Sequence, residues 1–561
     1  MELPVSLPTG NYSTNEAFIH ILVDDILIYI FLLNATGAAP HLLSPEHETT
    51  VASSQVCRRW RSVALQCPRI WGSIIDYSRH PLKWIETLLD RSHPSPLDFG
   101  NRIFFVNLRD SYGRVGVLEL VFNHIDRLRI FNLMDTVSSW ELVSTRFLQL
   151  PAPNLEFVRV IIDPPVTDLT DIQVRQLTHP LFEHHAPNLQ NLQLHRCMVD
   201  FTSPILTALT ELYVHDIAKA NAIPTVLDWL NILGGMPSLR WVTLTSAISS
   251  ATTNDISSYP IIHLAALNML SVEGTVQDTL SLVEHLIAPP RCGLRLRCSG
   301  VHLGYDQRRL WAIIKKHLDS WAKNAPNRHL GAYSTQDVAA VGNLPDVEFA
   351  EVWDTEASVA FFKQYIHLLD PVLSITLYPS NPEDAVPLFL SLFTLFERTF
   401  FDTTYFKLCI DYDPDDGLEV FQPLVDNFRG FVNLERLYLK YDSLSTFLFP
   451  LLQHYLPSNT ILLPALQSLS FSNAMFTRSS SDSLFRVADF LRWRREQWVP
   501  VQKIDIVDSW IDIQDVITYF QDTPVDFNSC SFVSEEDEVD DPEDYVEEDD
   551  SEEDNIEEDN N

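Results

Sequence analysis

Glycine is scarce in this sequence, with 16 in 561 residues. Loops that cradle phosphate need glycine where the backbone must approach the ligand closely. Neither Gly-x-Gly-x-x-Gly nor Gly-x-x-x-x-Gly-Lys occurs, and Gly-x-Ser-x-Gly and His-Glu-x-x-His are missing as well. Cysteine is also sparse: Cys57, Cys67, Cys197, Cys292, Cys298, Cys409 and Cys530 are scattered, odd in number, and contain no Cys-x-x-Cys pair. That usage argues against a disulfide framework or a zinc ribbon. It points to reduced, mostly buried thiols in a cytoplasmic or nuclear protein. No apolar run approaches the roughly 20 residues that a membrane helix requires. The opening MELPVSLPTGNYSTNE has neither a basic n-region nor an apolar h-region. Basic residues number 39 against 76 acidic ones, a formal net charge of −37. Residues 535–561 hold 18 of the acids and no base, yet the remainder is still acidic. The charge therefore gives no case for nucleic-acid or membrane-surface binding.

No catalytic constellation emerges, and no metal or cofactor is implied. His184 and His185 adjoin Glu183, but neighbours on a helix point about 100° apart and make a poor joint metal site. The expectation is a protein that is not an enzyme.

Two N-terminal stretches carry a pattern. In residues 22–33, LVDDILIYIFLL, the side chains Leu22, Ile26, Ile30 and Leu33 repeat at helical spacing. Asp24 and Asp25 fall in the first turn, where the helix dipole favours negative charge. In residues 51–71, VASSQVCRRWRSVALQCPRIW, the steps between Val56, Trp60 and Val63 put them on one predicted helix face. Ala52 and Ala64 leave room for a second helix, Arg58, Arg59 and Arg61 are expected to face water, and Pro68 stops or kinks the chain before Trp71.

This pair of stretches resembles the F-box. That family opens with Leu-Pro-x-Glu-Ile-Leu-x-x-Ile-Phe, against Leu22 to Phe31 here, and closes with Val-Cys-Lys/Arg-x-Trp-Arg-x-x-Ala followed by Pro-x-Leu-Trp. Here the closing run is Val56, Cys57, Arg58, Arg59, Trp60, Arg61, Ser62, Val63, Ala64, then Pro68, Arg69, Ile70 and Trp71. Val23 stands where the family has proline, and a longer linker, residues 34–50, separates the halves, as in F-box proteins of mushroom-type fungi. The resemblance implies docking on a Skp-type adaptor through Leu22, Ile26, Leu27, Ile30, Phe31, Val51, Val56, Cys57, Trp60, Val63 and Trp71.

Beyond a segment with Trp84, Ile85, Leu88 and Leu89 at helical spacing, a theme close to Pro-x-Leu-x-x-Leu-x-Leu recurs. It appears at 153–160, 187–194, 209–214, 237–244, 267–272, 432–439 and 464–471. The last two apolar positions of each copy share one face of a strand, and the residue between them points the other way. Segments 222–233, 276–287, 307–321, 358–369 and 483–498 read as helices, and 372–377 and 501–506 as strands. A strand plus a helix cannot bury its own apolar face, but stacked copies can. Successive leucines at 155, 189, 209 and 239 lie 34, 20 and 30 residues apart. Such irregular spacing fits a divergent leucine-rich-repeat array with parallel strands, and it resembles the substrate half of F-box leucine-rich-repeat proteins.

The expected class is α/β: an all-α F-box over 18–75, a helical linker over 76–100, a leucine-rich-repeat-like solenoid over 101–532, and a disordered acidic tail over 533–561. The implied function is substrate recognition in a Skp-cullin-F-box ubiquitin ligase. The alternative is a non-degradative scaffold for basic partners. Outward positions of the strands are the candidate target surface: Arg159, Gln193, Tyr213, Arg240, Trp241, Arg436 and Tyr438, with Glu156, Gln190, Glu211, Thr243, Glu435 and Lys440 beside them.

Overall fold

The computed structural model describes residues 22–35, 46–100, 106–107, 114–135, 142–162, 175–176, 180–217, 223–249, 258–289, 292–302, 305–322, 328–335, 346–353, 373–379, 403–410, 431–440, 461–472, 475–476, 481–528 and 530–532. The chain is mixed α/β and divides into two compact units, Met1–Val301 with Asp306–Trp321, and His302–Tyr305 with Ala322–Asn561. The acidic segment 533–561, the 358–369 helix and residues 18–21 and 36–45 lie outside the described residues.

The first unit opens with α1 (Asp24–Ala35), α2 (Glu46–Ser53), α3 (Arg58–Leu65), α4 (Pro68–Ser73) and α5 (Leu82–Arg91). Residues 51–71 therefore do not form one helix. Backbone turns from Gln55 to Ala52 and from Val56 to Ser53 end α2, and Cys57 caps α3, its sulfur accepting from the Trp60 N–H at 3.4 Å. Val56 lies ahead of the helix and not on its face with Trp60 and Val63. Leu27, Phe31 and Ala35, one face of α1, pack with Val63, Ala64, Cys67, Ile70, Trp71, Ile74 and Leu88 into a closed core. Trp71 donates its Nε1–H to the Ala64 carbonyl at 2.8 Å, and the Arg91 guanidinium lies 4.7 Å from its ring centre. Ala52, expected at a close approach, is exposed.

The segment expected to be only a linker ends in a strand, β1 (Leu97–Phe99), which joins the sheet. It is followed by β2 (Val106–Asn107), α6 (Arg114–Phe122), β3 (Leu128–Asp135), β4 (Phe157–Ile162), β5 (Asn191–His195), β6 (Glu211–His215), α7 (Val226–Gly234), β7 (Trp241–Thr245), β8 (Met269–Thr275), α8 (Val276–Glu284), β9 (Gly293–Val301) and α9 (Tyr305–Ala322). From β3 to β9 each strand pairs, parallel, with the next in sequence. Parallel neighbours need a crossover on the far side of the sheet. Helices α7 and α8 supply two, each started by a threonine cap, Thr225 over Asp228 and Thr275 over Asp278. The 20-residue step from Leu189 to Leu209 has room only for a 3-10 turn, Pro204–Ala208.

Register aligns the inward side chains into two continuous rows. One runs Phe131, Val158, Leu192, Leu212, Val242, Leu270, Leu294; the other runs Leu133, Val160, Leu194, Val214, Leu244, Val272, Leu296. All are buried. The first leucine of each copy, at 155, 189, 209, 239 and 267, is buried too, its N–H closing a turn onto the carbonyl three residues back. A further regularity follows each strand. Arg196, Asp216 and Ser246 sit at φ 58°, 54° and 47°. Their N–H groups reach the carbonyls of His215, Thr245 and Glu273 on the next strand. This left-handed turn aims the following residue, Cys197, Ile217 or Ala247, into the core.

The second unit holds β10 (Arg328–Thr335), β11 (Asp346–Trp353), β12 (Leu373–Pro379), β13 (Thr403–Ile410), β14 (Arg436–Lys440), β15 (Ser468–Ser472), α10 (Ser481–Glu496), β16 (Lys503–Val507), α11 (Ile513–Tyr519) and β17 (Val525–Asn528). From β13 to β17 the strands again pair parallel in chain order, and Asp508 repeats the left-handed turn at φ 48°. The uniform parallel array expected here is broken, because β10–β11 and β11–β12 are antiparallel. Ten residues separate β10 from β11, fewer than a parallel crossover needs, so the chain turns back.

Arg127, buried just ahead of β3, joins the helices to the sheet. It donates to the Ser95 and Leu89 carbonyls and to the Ser92 hydroxyl at 2.9, 3.3 and 2.9 Å. Arg127→Met should lower stability by roughly 2–4 kcal/mol, because the Ser95 carbonyl and the Ser92 hydroxyl lose this donor and the Leu89 carbonyl keeps only that of Ser92. A urea midpoint unchanged from that of the unaltered chain would exclude this role for Arg127.

Candidate functional site

The helical N-terminus presents an unusual surface. Helix α1, DDILIYIFLLNA, is apolar round most of its circumference, a pattern that fits a helix covered on more than one side. One side is the core face just described. On the other, Ile26, Tyr29 and Leu33 are 45%, 60% and 52% exposed, and Val23 and Val56 are more exposed still. The start of α1 is fixed by Arg59 of α3, which bonds the Leu22 carbonyl and pairs with Asp24 Oδ1 at 2.7 Å. Arg59 was expected to face water and instead holds the two helices together.

The residues assigned to adaptor contact therefore divide. Ile26 and Val56 are exposed, and Leu22, Ile30, Val51, Cys57 and Trp60 are half-buried. Trp60 stands edge-on to Phe31 with ring centres 5.3 Å apart. Leu27, Phe31, Val63 and Trp71 are at most 4% exposed. These four fill the core of the helical bundle, the alternative to adaptor contact for this set. Tyr29 and Leu33, which lie on the exposed face, were not singled out from the sequence. On a helix apolar all round, spacing cannot say which side is turned outward.

The outward face of the sheet in the first unit carries the second group. Arg159, Gln193 and Tyr213 are direct neighbours on β4, β5 and β6, and all three are half-buried. Trp241 is paired across with Glu211, while Arg240 lies on the turn entering β7 and is exposed. Arg436 and Tyr438 lie on β14 in the other unit.

At the ends of β5 and β6 the face becomes strongly polar, a feature the repeat pattern alone did not reveal. His195 and His215 are paired neighbours with ring centres 6.0 Å apart. His195 Nε2 lies 2.8 Å from Asp216 Oδ2, and the Arg196 guanidinium 3.6 Å from the same oxygen. The hydrogen bond to His195 is the main reason that the Asp216 carboxyl is held below its ordinary range. Burial, then His195 and Arg159, push His215 down to about 4 against the opposing pull of Asp216. Burial raises Glu273, opposed by Arg297 at 3.9 Å. Among the described residues no group of three metal-ligating side chains converges, and no helix is long and apolar enough to cross a membrane. Cys57, Cys67, Cys197, Cys292, Cys298 and Cys530 are free thiols, the middle four of them buried. Burial pushes the Cys197 thiol up, which makes it a packing residue that donates to the Val160 carbonyl, not a nucleophile.

The depressed His215 has a pH signature. Between about 4 and 6.5 the unfolded chain binds a proton at this residue and the folded chain does not, so acidification through that window favours unfolding. His215→Gln removes this contribution. The stability of the unaltered chain relative to the variant should fall steadily as pH drops from 6.5 towards 4. A pH-independent difference between the two would exclude a neutral, desolvated His215.

Compared with known proteins, the chain matches no family model and no curated sequence.

Proposed function

We propose that the chain is an F-box substrate receptor, docking on a Skp-type adaptor through α1 and recruiting a target protein on the outward face of a leucine-rich-repeat solenoid. The observation that carries the reading is α1 itself. It is apolar on both sides, only one side is covered by the core of the described residues, and it lies within the run that resembles the F-box opening. The uncovered side, Ile26, Tyr29 and Leu33 with Val23 and Val56, has the chemistry of an apolar anchor patch.

The departure from proline at Val23 counts little against it. The Val23 carbonyl accepts the first α1 bonds, from Ile26 and Leu27 at 3.1 and 3.2 Å, and a proline carbonyl could do the same. Support for the solenoid comes from the chain-order parallel strands, the two inward rows and the recurring left-handed turn after β5, β6, β7 and β16. In this reading the chain performs no bond chemistry. It raises the effective concentration of target lysines near an activated ubiquitin that other subunits hold in an assembly with a cullin.

Ile26→Glu with Leu33→Glu, in the full chain co-expressed with adaptor and cullin, should weaken adaptor capture on the order of 100-fold or more. Two exposed apolar anchors worth ~2 kcal/mol each are replaced by charge. The circular-dichroism spectrum should not change, since neither side chain is in the core. Trp71→Ala should instead melt the helical bundle. Adaptor retained at the original affinity by a folded Ile26→Glu, Leu33→Glu chain rejects the assignment.

A further inference from the structure

The outward sheet face contains polar groups for which the described residues provide no hydrogen bond. Arg159, at the centre of β4, is half-buried, yet among the described residues it makes no hydrogen bond or ion pair, and its desolvation is not offset by a negative group there. Other arginines of the sheet are engaged: Arg129 with Asp98 at 2.5 Å, Arg196 with Asp216 and Arg297 with Glu273. Taking a guanidinium partly out of water with no anion opposite it among the described residues is unfavourable, and an anion arriving from outside the chain offsets that cost.

Two more groups without a side-chain hydrogen bond among the described residues stand beside it. Gln193 is its direct neighbour on β5, half-buried and with no side-chain hydrogen bond. His215 lies on β6 two residues beyond Tyr213, the neighbour of Gln193. Its half-buried imidazole has a ring contact with His195 but no hydrogen bond. Side chains at 159, 193, 213 and 215 share one face, because they alternate with the inward positions 158, 160, 192, 194, 212 and 214. A guanidinium, an amide and an imidazole on three adjacent strands together offer several N–H donors and one unopposed positive charge.

We propose that Arg159, Gln193 and His215 form a receptor for a carboxylate side chain on an acidic, extended segment of the target protein. The inference deepens the reading of the strand face as the target surface and rests on it. Charge selects the carboxylate. One cation is unopposed, and the neighbouring Asp216 is negative, so the site balances one negative charge and leaves a dianionic phosphate undercompensated. Arg159 would take the carboxylate in the two-pronged geometry that arginine favours, and the Gln193 amide would donate alongside. The ionised Asp216, already bonded to His195 and Arg196, keeps those two from competing for the ligand.

The test uses the full chain and a fluorescein-labelled hexaglutamate peptide, read by anisotropy at low salt, with adaptor capture measured separately. Hexaglutamate should bind and hexaglutamine should not. Arg159→Gln should weaken binding tenfold or more, Arg159→Lys should keep part of it, and Gln193→Ala should give a smaller loss. Absent hexaglutamate binding, or equal affinity in the Arg159→Gln chain, overturns the proposal. Arg159-dependent binding of a hexa-phosphoserine peptide in place of hexaglutamate overturns the carboxylate assignment. Failed peptide binding with intact adaptor capture defeats this inference alone. Failed adaptor capture with Arg159-dependent peptide binding defeats the adaptor reading alone.

Discussion

The structure of the first unit depends on one constraint: no single repeat can cover its own apolar side. A five-residue strand such as β6 presents Leu212 and Val214 inward, with Leu209 at the turn before it. Isolated, those side chains would face water on two flanks. Seated between Leu192 and Val242 on one row and between Leu194 and Leu244 on the other, they are fully enclosed. Burial of a leucine or valine contributes about 1.5–3 kcal/mol, so each strand is stable mainly because its neighbours are present. Chain-order pairing follows, since the nearest available neighbour is the next copy in sequence.

Stacking solves the apolar problem and leaves a polar one at every turn, where carbonyl groups point away from the ladder. Part of the answer is local. Single carbonyls, such as those of Glu156, Gln190, Thr210 and Arg240, accept two N–H groups from the next copy. Where the turns meet helices, buried guanidinium groups complete the set. Arg127 takes the end of α5 and the loop after it. In the second unit Arg494, fully buried on α10, donates to the carbonyls of Leu462, Leu463 and Leu466. Burial without an anion lowers its pKa to about 10, still high enough to keep it charged at neutral pH. In a chain with few bases, these arginines are fixed by backbone carbonyls and are not available to a ligand.

What the sequence made legible follows from how local each signal is. The Leu-x-x-Leu-x-Leu spacing is a two-residue alternation with a turn ahead of it, and it located β4 to β8, β14 and β15 together with their inward sides. Helices α7 to α10 were located within a few residues, α7 and α8 each beginning at a threonine cap. The break between α2 and α3 was not legible, because it depends on Cys57 acting as a cap, a role cysteine seldom plays. The antiparallel turn of β10 to β12 was hidden for another reason: β10 and β11 lack the leucine pattern, and the strand read at 372–377 carries no sign of its direction. Nor could spacing decide which side of α1 is covered. That choice is made by Trp71 and Ile70, about 40 residues later in the chain, which fill the space against Leu27 and Phe31.

The same division explains why the outward face can carry function at little expense to the fold. Inward rows fix the backbone to within a ladder register, so side chains at 159, 193, 213 and 215 are held in place without contributing to the core. A group so held can remain unsatisfied: among the described residues Arg159 has no anion, and His215 stays neutral with no hydrogen bond, because the rows beneath them tolerate the penalty. Neither residue is explained by packing. Leucine or valine at 159 would extend the covered apolar surface. An arginine kept there in an acidic chain, half out of water and unpaired, leaves positive charge on a rigid strand at the centre of the face. The physical demand at that position is for an anion supplied by something other than the described fold.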